Sequence, residues 1–151
     1  MFRGRHSHTI DAKGRVSIPV VYRMHLQQRS DQPAFLTADE NCLRLYPFED
    51  WRNHERHIVA QAELDPDARD YARLVISGAV EAPLDKQGRI LVPQYLREHA
   101  HFDREVTFAG VGLTVEIWDT ARLQMNLNQT QANFRVISSE MAKRVGSVRS
   151  P

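Results

Sequence analysis

The stretch DAKGRVSIPVVYR at residues 11–23 returns as DKQGRILVPQYLR at residues 85–97, with Asp, Gly, Arg, Pro and the final Arg in the same register at an offset of 74. Val16 with Ile90 and Ile18 with Val92 are conservative pairs. The match continues at an offset near 72, where AFLTA (34–38) meets VTFAG (106–110) and CLRLYPFEDW (42–51) meets LTVEIWDTARL (113–123). A duplication of this kind constrains the fold strongly. Units of about 50 residues are too short to bury a stable core alone, so the two halves of a 151-residue chain are expected to fold onto each other. The expected organisation is a first unit over 1–50, a helical connector over 51–76, a second unit over 77–123 and a helical tail over 124–151.

Each unit reads as strand, tight turn, strand, short helical piece, strand, turn, strand. Asp11 and Asp85 open four-residue turns in which the carboxylate can accept backbone N–H groups two residues on. Gly14 and Gly88 close them, where a positive φ is often needed. Hairpin geometry is expected to follow. RVSIP and RILVP are β-branched or aliphatic, and Pro19 and Pro93 stop the ladder while suiting the first turn of a helix. Two hairpins per unit and two units predict an α+β chain built on an interleaved β-barrel.

In the connector, FEDWRNHERHIVAQ places Phe48, Trp51, Ile58, Val59 and Ala62 near one face. DPDARDYARLVIS opens on Asp65 and Pro66 as cap and first turn, and is expected to turn Ala68, Tyr71, Leu74 and Val75 inward. The tail is helix-like through Leu123 and Leu127, passes the polar NLNQTQAN, and resumes with Phe134, Ile137 and Met141. Its apolar positions are candidates for a subunit contact or for packing at home.

Composition excludes several classes of function. No apolar run approaches a membrane span, and MFRGRHSHTI lacks the apolar region of a secretory signal, so a cytoplasmic protein is expected. The single cysteine, Cys42, rules out an internal disulfide and reads as a buried apolar thiol. The net charge of +1 hides a polarised chain. Residues 1–29 carry six basic side chains against Asp11 alone, whereas residues 30–84 carry 5 basic and 11 acidic. A basic first segment suits a polyanion, and an acidic middle repels one.

Backbone geometry accounts for Asp11, Gly14, Asp85 and Gly88, but it does not require arginine after both glycines. A guanidinium at the base of the loop, beside Lys13 or Lys86, can bind phosphate or read guanine in the major groove, which a β-ribbon can enter. Alternatively Arg15 and Arg89 pair with Asp11 and Asp85 and only fix the loop. The repetition, with a basic flank on the first copy, favours nucleic-acid contact.

The opening MFRG, the paired DAKGR and DKQGR, the RVSIP and RILVP strands and the chain length together resemble the MraZ family of bacterial transcriptional regulators. The resemblance covers nearly the whole chain. It implies two SpoVT/AbrB-like units forming a swapped-hairpin β-barrel with connecting and C-terminal helices. It also implies DNA binding through the DxxxR signatures, here Asp11 with Arg15 and Asp85 with Arg89, and ring-shaped homo-oligomers on repeated promoter elements. The implied function is a sequence-specific regulator, usually a repressor of its own division and cell-wall gene cluster, associated with the nucleoid. Arg3 and Arg5 join the DNA-binding set by position and charge. RHSH after FRG departs from the expected pattern and leaves the roles of His6 and His8 open.

Rival functions find little support. The histidine pairs His6/His8, His54/His57 and His99/His101 lack a zincin motif or a cysteine cluster, and ISGAV lacks a nucleophile elbow. No enzyme activity, metal, cofactor, small-molecule substrate or membrane partner is expected. AbrB-like barrels also serve as antitoxins, but those usually carry one unit and a disordered tail. The partners implied are double-stranded promoter DNA and further copies of the chain.

Overall fold

A computed structural model of the chain describes residues 1–149, with side chains described through Gly146. The first repeat contributes β1 (Arg5–Thr9), β2 (Arg15–Ser17), α1 (Val20–Arg29), β3 (Ala34–Asp39) and β4 (Cys42–Tyr46). Two connector helices follow, α2 (Phe48–Ala62) and α3 (Pro66–Val75). The second repeat contributes β5 (Val80–Ala82), β6 (Arg89–Leu91), α4 (Gln94–His99), β7 (Glu105–Gly110) and β8 (Val115–Asp119). The tail is α5 (Thr120–Ala132) and α6 (Phe134–Arg149). Two compact units result, Met1–Thr120 and the segment from Ala121 onward.

Strands of the two repeats alternate in one six-stranded antiparallel sheet of order β1-β7-β8-β4-β3-β5, while β2 and β6 pair only with each other. The interleaving expected from the duplication is present. The closed barrel is not, because β1 and β5 remain as separate sheet edges and the β2–β6 ladder forms a second, two-stranded sheet. Nor are β1 and β2 a paired hairpin. The turn between them closes at its base, with Asp11 N–H donating to the Arg15 carbonyl (3.0 Å), but β1 pairs with β7 and β2 with β6. A two-stranded ladder of three residues per strand is not stable in water alone. It is stabilised by burial: Val16, Ile18, Ile90 and Val92 are all core residues, packed in one cluster with Leu36, Leu45, Leu96 and Phe108.

The helices follow from local chemistry. Pro19, Pro47 and Pro93 sit immediately before α1, α2 and α4, where a missing N–H costs nothing. Asp65 caps α3 by accepting from Asp67 N–H (3.1 Å), with Pro66 in the first turn, as expected. Trp51, Ile58 and Val75 form a second cluster with Tyr46, against which Phe35 stacks on Trp51 at 5.5 Å. The inward face of this helix pair is narrower than the sequence suggests. Val59, Tyr71 and Leu74 are exposed, and Ala72 and Ile76 pack inward instead. In the tail, α5 runs on through most of NLNQTQAN, where Gln124 Nε2 donates to Asn128 Oδ1 one turn on (2.9 Å); the break falls on Asn133, the last residue of that stretch, and α6 resumes at Phe134.

The repeats meet across β4 and β8, where Leu43 faces Ile117 and Arg44 faces Glu116. The Arg44 guanidinium bonds the carboxylates of Asp39 (2.6 Å) and Glu116 (3.0 Å) and the Thr114 hydroxyl (3.0 Å). Removing it leaves two half-buried carboxylates without their cation. Arg44→Met is expected to lower unfolding free energy by about 1–3 kcal/mol, read as a shifted urea midpoint with unchanged slope.

Candidate nucleic-acid interface

The two turns are built alike, atom for atom. Asp11 Oδ1 accepts the backbone N–H groups of Lys13 (3.0 Å) and Arg15 (2.8 Å), and Asp85 Oδ1 accepts those of Gln87 (2.9 Å) and Arg89 (2.9 Å). The glycine N–H returns to the aspartate carbonyl at 3.0 Å in both. Gly14 at φ +90° and Gly88 at φ +76° take the left-handed backbone that the turn requires. Each carboxyl lies below the usual carboxylate range, chiefly because it accepts the arginine N–H, with the guanidinium adding to the effect. The turns therefore keep their shape at any pH above that range.

The remaining carboxylate oxygen takes the arginine side chain, with Arg15 Nε to Asp11 Oδ2 at 2.7 Å and Arg89 Nε to Asp85 Oδ2 at 2.8 Å. The pairing weighed as an alternative to nucleic-acid contact is thus present. It does not bury or exhaust the guanidinium. Only Nε is engaged by the carboxylate, and the side chains are 38% exposed at Arg15 and 28% at Arg89. Pairing through Nε fixes the direction of the fork, and of the terminal nitrogens Arg89 Nη2 alone makes a further bond among the described residues, a long one to the Gln87 side-chain oxygen (3.4 Å).

The ladder then sets where the forks lie. Arg15 faces Leu91, Val16 faces Ile90 and Ser17 faces Arg89. Alternation puts Val16 and Ile90 into the core, so Arg15, Ser17, Leu91 and Arg89 share the opposite face. Arg15 and Arg89 are diagonal neighbours on it, with backbones about 7–8 Å apart. Lys13 and Lys86 are exposed in the flanking turns. One cationic ribbon, assembled from both repeats, replaces the two separate hairpin tips expected from the sequence.

Arg3 and Arg5 do not join it. Both are exposed, but Phe2 bridges Gly112, and the extended β1 separates Arg5 from Asp11 by about 20 Å at roughly 3.3 Å per residue. His6 and His8 pack edge-on against Tyr22 (5.2 Å) and Phe108 (5.8 Å), which gives them a place beside the core. The sequence reading missed Arg23 and Arg97, which pack against the turn glycines. The signal was available, since they are the last identity of the repeat.

Among the described residues, the metal-type cluster is Asp39, Cys42 and Glu116, and it includes none of the paired histidines, although His99 Nε2 meets the Asp39 backbone carbonyl (2.8 Å). Arg44 already neutralises both carboxylates, and burial pushes the Cys42 thiol far up, so the set does not form a thiolate site. Three histidines carry lowered pKa values: His8 through burial with His6 and Arg23 nearby, His25 through burial with the N-terminus and Arg29, and His54 through burial with Arg44 and His57. Unfolding then takes up protons below 6.5, so their contribution is present above that pH and is lost as pH falls. Melting temperature is expected to be flat from pH 7 to 8 and to decline from pH 6.5 to 5. His8→Gln is expected to flatten the decline.

A duplicated α+β scaffold that presents paired guanidinium groups on a ribbon between basic turns defines a nucleic-acid-binding class of protein, without a catalytic constellation among the described residues. The family model "MraZ protein", described further as antitoxin-like, matches the chain twice, over residues 1–74 and 75–145. The transcriptional regulator MraZ of Carboxydothermus hydrogenoformans is 41% identical over 143 residues, covering 93% of this chain and 96% of the relative. That of Solidesulfovibrio magneticus is 40% identical over 151 residues, covering 99% of each, and that of Thermoanaerobacter pseudethanolicus 40% over 141, covering 93% and 96%. The chain belongs to the MraZ family, and is accordingly a DNA-binding transcriptional regulator and not an enzyme. No helix among the described residues is long and apolar enough to cross a membrane.

Proposed function

We propose that this regulator reads double-stranded promoter DNA with the outer face of the β2–β6 ribbon. Arg15 and Arg89 make the specific contacts there, and Lys13 and Lys86 meet the flanking phosphates. The observation that carries the reading is the placement of Arg15 and Arg89 on one face, each tethered to its aspartate through Nε with the side chain still partly exposed. A two-stranded ribbon fits the major groove, and a planar fork matches the acceptors of guanine or the oxygens of a phosphate. Arg3 and Arg5 belong at most to the outer phosphate contacts of the same complex.

One chain offers few phosphate contacts, so affinity gains greatly when several chains are linked on evenly spaced sites. The regulator then acts as a ring-shaped homo-oligomer on repeated promoter elements, repressing its own division and cell-wall gene cluster and residing on the nucleoid. Self-association is favoured by α6, where Phe134, Ile137, Met141 and Val145 form an exposed apolar stripe at helical spacing.

Light scattering with and without the DNA upstream of its own gene tests both parts. The expected result is a defined oligomer that retains repeat-bearing DNA, with affinity falling about 10³-fold between 50 and 200 mM salt if the assembly meets six or more phosphates. A monomer that binds with no salt dependence contradicts the reading.

A further inference from the structure

The duplication carries one identity that turn shape and DNA contact leave unexplained, the arginine four residues after each proline. Arg23 lies in α1 and Arg97 in α4, and each reaches the turn of the other repeat. The Arg97 guanidinium lies against Gly14 of the first turn, where Nη1 reaches the Ala12 carbonyl (3.5 Å), while Nε donates to the Val92 carbonyl of its own repeat (3.0 Å). Arg23 lies against Gly88 of the second turn, so close that a Cβ there would overlap its guanidinium. The backbone is crossed in the same sense, with Val92 N–H donating to the Gly14 carbonyl (2.7 Å) and Ile18 N–H to the Gly88 carbonyl (3.0 Å).

We infer that Arg97 and Arg23 are reciprocal positioning residues: each repeat's arginine sets the angle at which the other repeat's turn presents its DNA-contacting arginine. The inference rests on the reading that Arg15 and Arg89 contact DNA. Two features support it. Each turn glycine sits immediately before Arg15 or Arg89, so a displacement of the glycine moves the fork that follows. Finally, the two clamps differ. Arg97 Nε is hydrogen-bonded, whereas Arg23 Nε is buried without a partner. An unpaired buried donor is costly, so the clamp on the second turn is the weaker and the more readily displaced.

A double-mutant cycle on promoter DNA tests the crossing. Arg97→Ala is expected to weaken binding about tenfold in the wild-type background and by less than twofold in an Arg15→Ala background, and to add fully to Arg89→Ala. Arg23→Ala is expected to couple to Arg89 and to add to Arg15. Arg97→Gln, read by amide NMR of the free protein, keeps the test open if the alanine variant unfolds: the Gly14 signal is expected to move and the Gly88 signal to stay. Additivity of all four pairs, or equal movement of both glycines, overturns the inference. Undiminished binding by Arg15→Ala and Arg89→Ala would instead sink the underlying DNA-contact reading, a separate outcome.

Discussion

Replacing Arg15 and Arg89 together by alanine is expected to remove specific promoter binding while leaving the protein folded. A bidentate arginine contact is worth about 1–3 kcal/mol of discrimination, so losing two from each chain lowers affinity by about 2–6 kcal/mol before avidity multiplies the effect. The fold survives because both side chains lie on the outer face of the ribbon. Asp11 and Asp85 also continue to hold the backbone N–H groups that shape the turns. The check is fluorescence anisotropy with labelled upstream DNA beside a thermal melt. Lysine at both positions is expected to restore the salt-dependent part of the affinity only, since an ammonium keeps the charge but not the planar fork. Variants that bind as tightly as the wild type would return both arginines to a purely structural role.

The second large effect is expected at Gly14. Its backbone lies in the left-handed region at φ +90°, and an added Cβ would strike the Val92 carbonyl, a backbone atom that cannot swing aside, as well as the Arg97 guanidinium. Gly14→Val therefore strains the turn and separates β2 from β6 at the point where Gly14 and Val92 are hydrogen-bonded. A loss of about 2–4 kcal/mol in unfolding free energy is expected, together with DNA binding. Gly112 provides the control, because its φ of +102° is equally left-handed but no atom lies within 4 Å of an added Cβ. Gly112→Ala is expected to cost the conformational part alone, about 1 kcal/mol, and to spare DNA affinity. Equal losses at the two glycines would show that packing at Gly14 contributes nothing.

Much of this site was legible in the sequence, because the chemistry of a DxxGR turn is local. The aspartate's bonds to the next backbone amides and the glycine's left-handed φ both follow from residue type and spacing, and both are present in each turn. The caps at Asp65 and Pro66 were readable for the same reason. Pairing between strands was not local, and there the reading went astray. The alternation of RVSIP and RILVP gives the buried face of β2 and β6 but not the partner of either strand. A hairpin across the turn and a ladder between repeats satisfy the same pattern. The structure takes the ladder, which buries Val16 and Ile90 side by side and leaves the six long-range strands as an open sheet instead of a barrel. Arg23 and Arg97 were visible as an identity, yet their purpose required knowing that α1 and α4 lie over the opposite turns. In the tail the second helix resumes at Phe134 where its apolar residues place it, and the first runs on to Ala132 because its polar residues are helix-compatible.

The most direct measurement is a structure of the protein on the DNA upstream of its own gene. The outer face of β2–β6 is expected to lie in the groove, with Arg15 and Arg89 within hydrogen-bonding distance of base edges or phosphates and the acidic α2–α3 pair turned away. DNA seated on another surface, with that ribbon facing solvent, would contradict the account.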